Sequence, residues 1–79
     1  MNRKSDEIRS EILQRCSKNG ATGSDLFYEL RLSWAQVQKK TSELTGKGLL
    51  RKEDERFYMT QKGKKWLQSY KRLNKLMET

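Results

Sequence analysis

Apolar residues recur every three or four positions through the first half of the chain, and this spacing predicts helices. The first helix begins at Ser5, a capping residue, and its narrow apolar stripe consists of Ile8, Ile12, Leu13 and Cys16. A short second helix follows Thr22, which stands three residues before Asp25 at the spacing of a capping box. Its buried side consists of Leu26, Phe27 and Leu30.

The third predicted helix runs from Ser33 to Lys47. Ser33 and Gln36 have capping-box spacing, and Gly48 stands where a left-handed residue would end the helix. The inward residues are Val37, Thr41 and Leu44. The connection Arg31-Leu32 is so short that the second and third helices must cross steeply, as in a helix-turn-helix.

After Gly48 the pattern changes to two short apolar runs on either side of a charged tip. Leu49-Leu50 and Phe57-Tyr58-Met59 predict an antiparallel hairpin, which a strand at Ala21-Thr22 can join. A final helix follows Thr60 and carries an apolar stripe of Trp66, Tyr70, Leu73 and Met77. The predicted order is α-β-α-α-β-β-α, an α+β winged helix-turn-helix, with residues 1–60 as the winged domain and 61–79 as the C-terminal helix.

The composition describes a small basic chain with a thin core. Of its 79 residues 33% are apolar and 35% are charged, and 18 Lys and Arg against 10 Asp and Glu give a net charge of +8. This charge favours a polyanionic partner, with nucleic acid ahead of an anionic membrane surface. A basic protein that is ribosome-associated or merely soluble is the open alternative. A domain of this size buries only about 60% of its unfolded surface, so a second copy would add stability.

Several functional classes are excluded by residues that are missing. The chain has one cysteine and no histidine, which excludes an internal disulfide and the usual zinc-ligand sets. The sequence has no glycine-rich loop of the kind that binds phosphate, and no pair of acidic residues whose spacing indicates acid/base catalysis. We therefore expect that the protein is not an enzyme and needs no cofactor. No apolar run is long enough to cross a membrane, and no small-molecule ligand can be inferred. The expected location is the cytoplasm, in association with the nucleoid.

Two segments resemble a known family. "GATGSDLFYELRLSWAQVQKKTSELTGKGLL" and "FYMTQKGKKWL" resemble small archaeal winged-helix regulators, most closely the proteins of about ten kilodaltons that dimerise through a C-terminal antiparallel coiled coil. The resemblance spans about Ile8 to Leu73. It implies DNA binding and a homodimer. The chain departs from the family pattern at Thr41 and Thr45, where larger apolar residues are usual, and in its short final helix.

Double-stranded DNA is the expected partner, with the helix of residues 33–47 in the major groove. Ser33 suits a phosphate, Gln36 and Gln38 suit adenine edges, and Lys39 and Lys40 reach guanine or phosphate. The predicted hairpin is expected to touch DNA at its base but not at its acidic tip. The complete set of predicted contacts is Ser33, Gln36, Gln38, Lys39, Lys40, Arg51, Lys52, Arg56 and Lys64. Trp34 is expected to pack against the second helix or the hairpin.

The C-terminal stripe is the predicted dimerisation element, because a small body cannot cover Trp66, Tyr70, Leu73 and Met77 together. A monomer, with this stripe folded back on the first helix, is the alternative. Transcriptional regulation is the favoured function. An architectural chromatin protein with little sequence preference and a protein-interaction module remain open.

Overall fold

Four helices and a three-stranded sheet follow one another in the predicted order, which confirms the α+β winged-helix class. The computed structural model of the protein describes residues 4–78, with side chains up to residue 75. The elements are α1 (Ser5–Cys16), β1 (Ala21–Thr22), α2 (Gly23–Glu29), α3 (Trp34–Gly46), β2 (Leu50–Glu53), β3 (Arg56–Met59) and α4 (Gln61–Glu78).

The core lies where the three N-terminal helices meet the sheet. The predicted α1 stripe is fully buried, and Leu26, Val37 and Leu44 meet it from α2 and α3. Leu32 is buried within the short connection between α2 and α3, where Arg31 adopts a left-handed φ of 55°. Burial of Leu32 therefore fixes the path of the chain between the two crossing helices.

Side-chain caps fix where α2 and α3 begin. In α2, Thr22 Oγ1 accepts a hydrogen bond from the Asp25 amide at 3.0 Å, and Asp25 Oδ2 accepts one from the Thr22 amide at 3.0 Å. The hydrogen bond from the Thr22 amide lowers the pKa of Asp25. Gly48, with φ of 77°, follows the end of α3 as predicted.

The predicted cap of α1 is wrong. Lys4 is the N-cap residue and makes no side-chain capping bond. The helix starts one residue early because the Ile8 amide already donates to the Lys4 carbonyl at 3.0 Å, which places Ser5 inside the first turn.

The sheet has β3 at its centre, with β1 and β2 antiparallel on either side. Ala21 pairs with Phe57 in the first ladder, and Leu50 pairs with Met59 in the second. Asp54, with φ of 54°, and Glu55 form the tight turn between β2 and β3. We call this β2–β3 hairpin the wing. Pairing with β1 attaches it to the helical core.

The start of α4 is locked onto the segment that follows α3. Thr60 Oγ1 donates to the Gly48 carbonyl at 2.6 Å and accepts from the Gly63 amide at 3.0 Å, so Thr60 caps α4. Leu67 is buried at 6% exposure in the shared core, and α4 packs along α1. Leu67 was absent from the predicted stripe. The first half of α4 therefore belongs to the core of the winged domain.

Gly63→Ala is expected to destabilise the protein by about 3 kcal/mol, because the added methyl would overlap the Leu49 carbonyl oxygen. Gly46→Ala is the matched control, since a methyl there meets nothing within 4 Å. It should stabilise α3 by about 0.5 kcal/mol, because alanine restricts the unfolded chain. Urea unfolding measures both changes. Equal stabilities of the two variants would contradict the tight seating of α4.

Candidate nucleic-acid interface

One side of α3 is buried and the other is open to solvent. The buried stripe consists of Val37, Lys40, Thr41 and Leu44. The prediction that Lys40 lies on the open side is wrong, because Lys40 is only 8% exposed. It stands three residues after Val37 and four before Leu44, so it shares their side of the helix.

The side of α3 opposite the buried stripe consists of Ala35, Lys39, Ser42 and Gly46, all exposed. We call these four residues the outer face of α3. Only Lys39 among them was in the predicted set. The signal that locates the others is the helical period alone, because each lies about half a turn from the centre of the buried stripe.

The N-terminus of α3 is closed by a capping box. Ser33 Oγ accepts from the Gln36 amide at 3.1 Å, and Gln36 Oε1 accepts from the Ser33 amide at 3.0 Å. The amides of Trp34 and Ala35 precede the first regular helix bond, from Val37 to Ser33, and point out of the helix end. These amides can bind a phosphate oxygen, while the cap already uses the carbonyl oxygen of the Gln36 side chain.

A groove of about 970 Å³ separates α3 from the wing. Its α3 wall includes Trp34, Gln38 and Thr45, and its wing wall consists of Lys52, Glu55 and Phe57. We call it the wing groove. Gln38 therefore faces the wing, beside the outer face rather than within it.

Trp34 has one packed and one open side. Its ring meets Phe27 of α2 edge-on, with centroids 5.7 Å apart and an angle of 71° between the rings. The indole also lies against the first residue of α2, since a methyl group added at Gly23 would be 3.4 Å from the Trp34 ring. The expected packing against the second helix is confirmed, although Trp34 keeps 48% of its surface exposed.

The wing cations differ in their surroundings. Arg51 pairs with Glu53 and stands 4.8 Å over the Tyr58 ring. Lys52 stands 5.4 Å from the Phe57 ring centroid, on the groove. Arg56 donates to the carbonyls of residues 19 and 20 at 3.3 and 3.4 Å, which turns its guanidinium toward the α1–β1 connection. Lys52 is thus the wing cation with the clearest access to a ligand on α3.

The flank of α3 away from the wing is joined to α1 by an ion pair. Arg9 Nε donates to Glu43 Oε1, and Arg9 also binds Asp6 at 2.7 Å. The hydrogen bond from Arg9 lowers the pKa of Glu43, and the same bond raises the pKa of Arg9. This flank presents carboxylates, which phosphates avoid.

Positive charge is concentrated on α4. Six of the 18 Lys and Arg residues fall between residues 61 and 75, and that segment contains no Asp or Glu. All six side chains are exposed: Lys62, Lys64, Lys65, Lys71, Arg72 and Lys75. Only one of them has a side-chain hydrogen bond in the described part of the chain, from Lys71 Nζ to Gln14 Oε1. The helix therefore offers a long cationic surface.

The predicted dimerisation stripe lies along another side of α4. Trp66 and Tyr70 stack in parallel, with ring centroids 5.4 Å apart, and both are half-buried. Leu73 is 60% exposed. The side chain of Met77, the fourth predicted member, lies outside the described residues.

The described residues hold neither a cluster of metal ligands nor a reactive thiol. They contain no group of three or more His, Cys, Asp or Glu placed to hold a metal ion. Burial raises the pKa of the Cys16 thiol to about 12, which makes it unreactive near neutral pH. None of the described helices has the length and apolarity that a membrane crossing needs.

The comparisons with known proteins agree with the fold. A family model described as winged helix-turn-helix matches residues 2–78. No curated protein is significantly similar to the chain. Domains of this family typically bind DNA and carry no catalytic activity.

Glu43→Gln is expected to make the free energy of unfolding less dependent on pH in the acid range. Because the folded pKa of Glu43 is below the ordinary 4.5, its carboxylate stabilises the protein above that value. This contribution is lost as the pH falls through the folded pKa. Urea unfolding from neutral to strongly acidic pH should show a smaller loss for the variant than for the parent. Parallel losses would contradict a stabilising Arg9–Glu43 pair.

Proposed function

The chain belongs to the winged helix-turn-helix family, and on that premise we propose that it binds double-stranded DNA as a transcriptional regulator. The observation that carries the proposal is the exposed outer face of α3, flanked by the wing groove. A helix is narrow enough to enter the B-DNA major groove. Such a role also implies association with the nucleoid in the cytoplasm.

In this arrangement the two ends of the interface bind the sugar-phosphate backbone. The free amides at the start of α3 bind one phosphate, and Lys52 binds the strand that passes along the wing groove. Glu55 also lines the wing groove, so in this proposal the strand passes on the Lys52 side of it and the acidic tip, residues 53–55, does not contact the phosphates. Arg56, whose guanidinium is directed to backbone carbonyls, contributes little unless it changes partners.

The cations of α4 supply further electrostatic attraction. Each phosphate neutralised by Lys or Arg releases condensed counterions, so affinity depends on how many cations reach the backbone. Among these cations we propose Lys64 as a phosphate contact, because it is exposed and lies close to the start of α4. Contacts of this kind carry no sequence information.

A homodimer through α4 completes the proposed assembly. Leu73 is largely exposed and continues the line of the Trp66–Tyr70 stack, so a second copy can cover all three. The resemblance to small archaeal winged-helix proteins supports antiparallel pairing of the two helices. Met77 is expected to extend the contact.

An architectural chromatin role is the second candidate. It is favoured by the unequal charge distribution, since the cations are concentrated on α4 rather than on α3. Binding dominated by α4 would show little preference among sequences. The two roles share the dimer and differ in whether α3 discriminates between duplexes.

Duplex affinity is expected to fall steeply with salt, and Lys64→Gln should reduce this dependence. Removal of one phosphate contact lowers the slope of log K against log salt concentration by about 0.9. Binding to unrelated duplexes should weaken to the same extent. Fluorescence anisotropy at several salt concentrations measures both. Gln68→Ala, a neutral change on an exposed α4 position, is the control and should leave the slope unchanged. Salt-independent duplex binding would exclude the proposal.

Leu73→Glu is expected to convert the dimer into a monomer, because pairing would bury the new carboxylates against each other's apolar surface. Light scattering should give twice the chain mass for the parent and one chain mass for the variant. Gln68→Glu adds the same charge to a different side of α4 and should leave the dimer intact. A monomeric parent protein at micromolar concentration would rule out this interface.

A further inference from the structure

The three exposed surfaces of α3 are not equivalent, and their differences bear on which base the helix reads. One surface meets α1, one faces the wing groove, and the outer face lies between them, with its members Ser42 and Gly46 at the border of the groove. The inference below rests on the DNA-binding function proposed above and asks which side chain of α3 selects the sequence.

The surface toward α1 is poorly suited to reading bases. Glu43 is held there by Arg9, and its carboxylate repels phosphates. Gln36 lies on the same side of the helix, about two turns earlier, and uses its carbonyl oxygen in the capping box. An adenine edge requires a glutamine to accept and donate at once, so the cap competes with adenine for the same oxygen.

The surface toward the wing contacts the flank of an inserted duplex. Gln38 lines the wing groove together with Trp34 and Lys52. A strand that passes between α3 and the wing presents its phosphates and sugars to these residues. Gln38 lies about 70° around the helix from the centre of the outer face, so it is nearer to the backbone along the wing than to the base edges in front of the helix.

Lys39 lies on the α1 side of the outer face, about 30° around the helix from its centre. It is two residues from Val37 and therefore about 200° around the helix from that buried residue. It is exposed, and it does not line the wing groove. Its neighbours on the outer face, Ala35 and Ser42, are short, so the lysine extends furthest toward a base pair.

The chemistry of a lysine ammonium selects among the four bases. The group has three donors and no acceptor. In the major groove guanine presents two adjacent acceptors, N7 and O6, whereas adenine places a donor beside N7 and cytosine presents a donor. Thymine offers one acceptor next to a methyl group. We infer that Lys39 is the principal base-reading residue of α3 and that it selects a guanine.

The experiment starts with selection of duplexes from a randomised pool by the full-length protein. The selected sites should share a guanine. Replacing that guanine by 7-deazaguanine removes the N7 acceptor and should weaken binding about tenfold. Inosine at the same place removes only the minor-groove amino group and should have little effect.

Two variants assign this discrimination to Lys39. Lys39→Ala should bind guanine and 7-deazaguanine duplexes equally, and Lys39→Gln should shift the selected base toward adenine, which glutamine can bind with both groups. Lys64→Ala is the matched control, since it should weaken both duplexes and preserve their ratio. Circular dichroism checks that each variant is folded.

The outcomes separate this inference from the proposed function. Selection without a shared guanine, or unchanged discrimination by Lys39→Ala, would overturn the role of Lys39 while leaving duplex binding intact. Equal weakening of all duplexes by Lys39→Ala would identify a phosphate contact and also overturn it. Failure of the parent protein to bind any duplex would refute the proposed function and this inference with it.

Discussion

The seating of α3 on the core is the constraint on which the proposed function depends. Burial of Val37, Thr41 and Leu44 against α1 and the sheet fixes the rotation of the helix about its own axis. Thr41 fits this interior because its hydroxyl donates to the Val37 carbonyl at 2.7 Å. A different rotation would exchange inward and outward residues. The burial of apolar side chains thus decides which polar side chains can meet a ligand.

The chain separates two physical tasks between two helices. The outer face of α3 offers few charges but a defined arrangement of side chains, as base recognition requires. The exposed cations of α4 are numerous and unpatterned, as attraction to a uniform phosphate backbone requires. Leu67 holds α4 to the core, so the two surfaces belong to one body. A change in either helix is therefore expected to alter either selectivity or affinity, and not both equally.

Local signals predicted the fold well. The capping boxes at Thr22 and Ser33 depend on residues three positions apart, so the sequence alone locates both helix starts. Tertiary contacts were harder to predict from the sequence. Lys40 is buried although its type suggests exposure, and Arg56 turns toward carbonyls 36 and 37 residues away in sequence. Such placements depend on the packing of distant segments, which periodicity does not reveal. For the same reason the sequence offered the glutamines and lysines of α3 together as base readers, and the surroundings of Gln36 and Gln38 are the basis on which we infer Lys39 as the principal one.

Backbone amide shifts of isotope-labelled protein, titrated with a short duplex at moderate salt, test the central claim most directly. We expect the largest changes in the first three turns of α3 and along the groove side of the wing, with smaller changes on α4. Changes confined to α4, with the amides of α3 unaffected at saturation, would mean that DNA does not contact the outer face of α3 and would contradict the account.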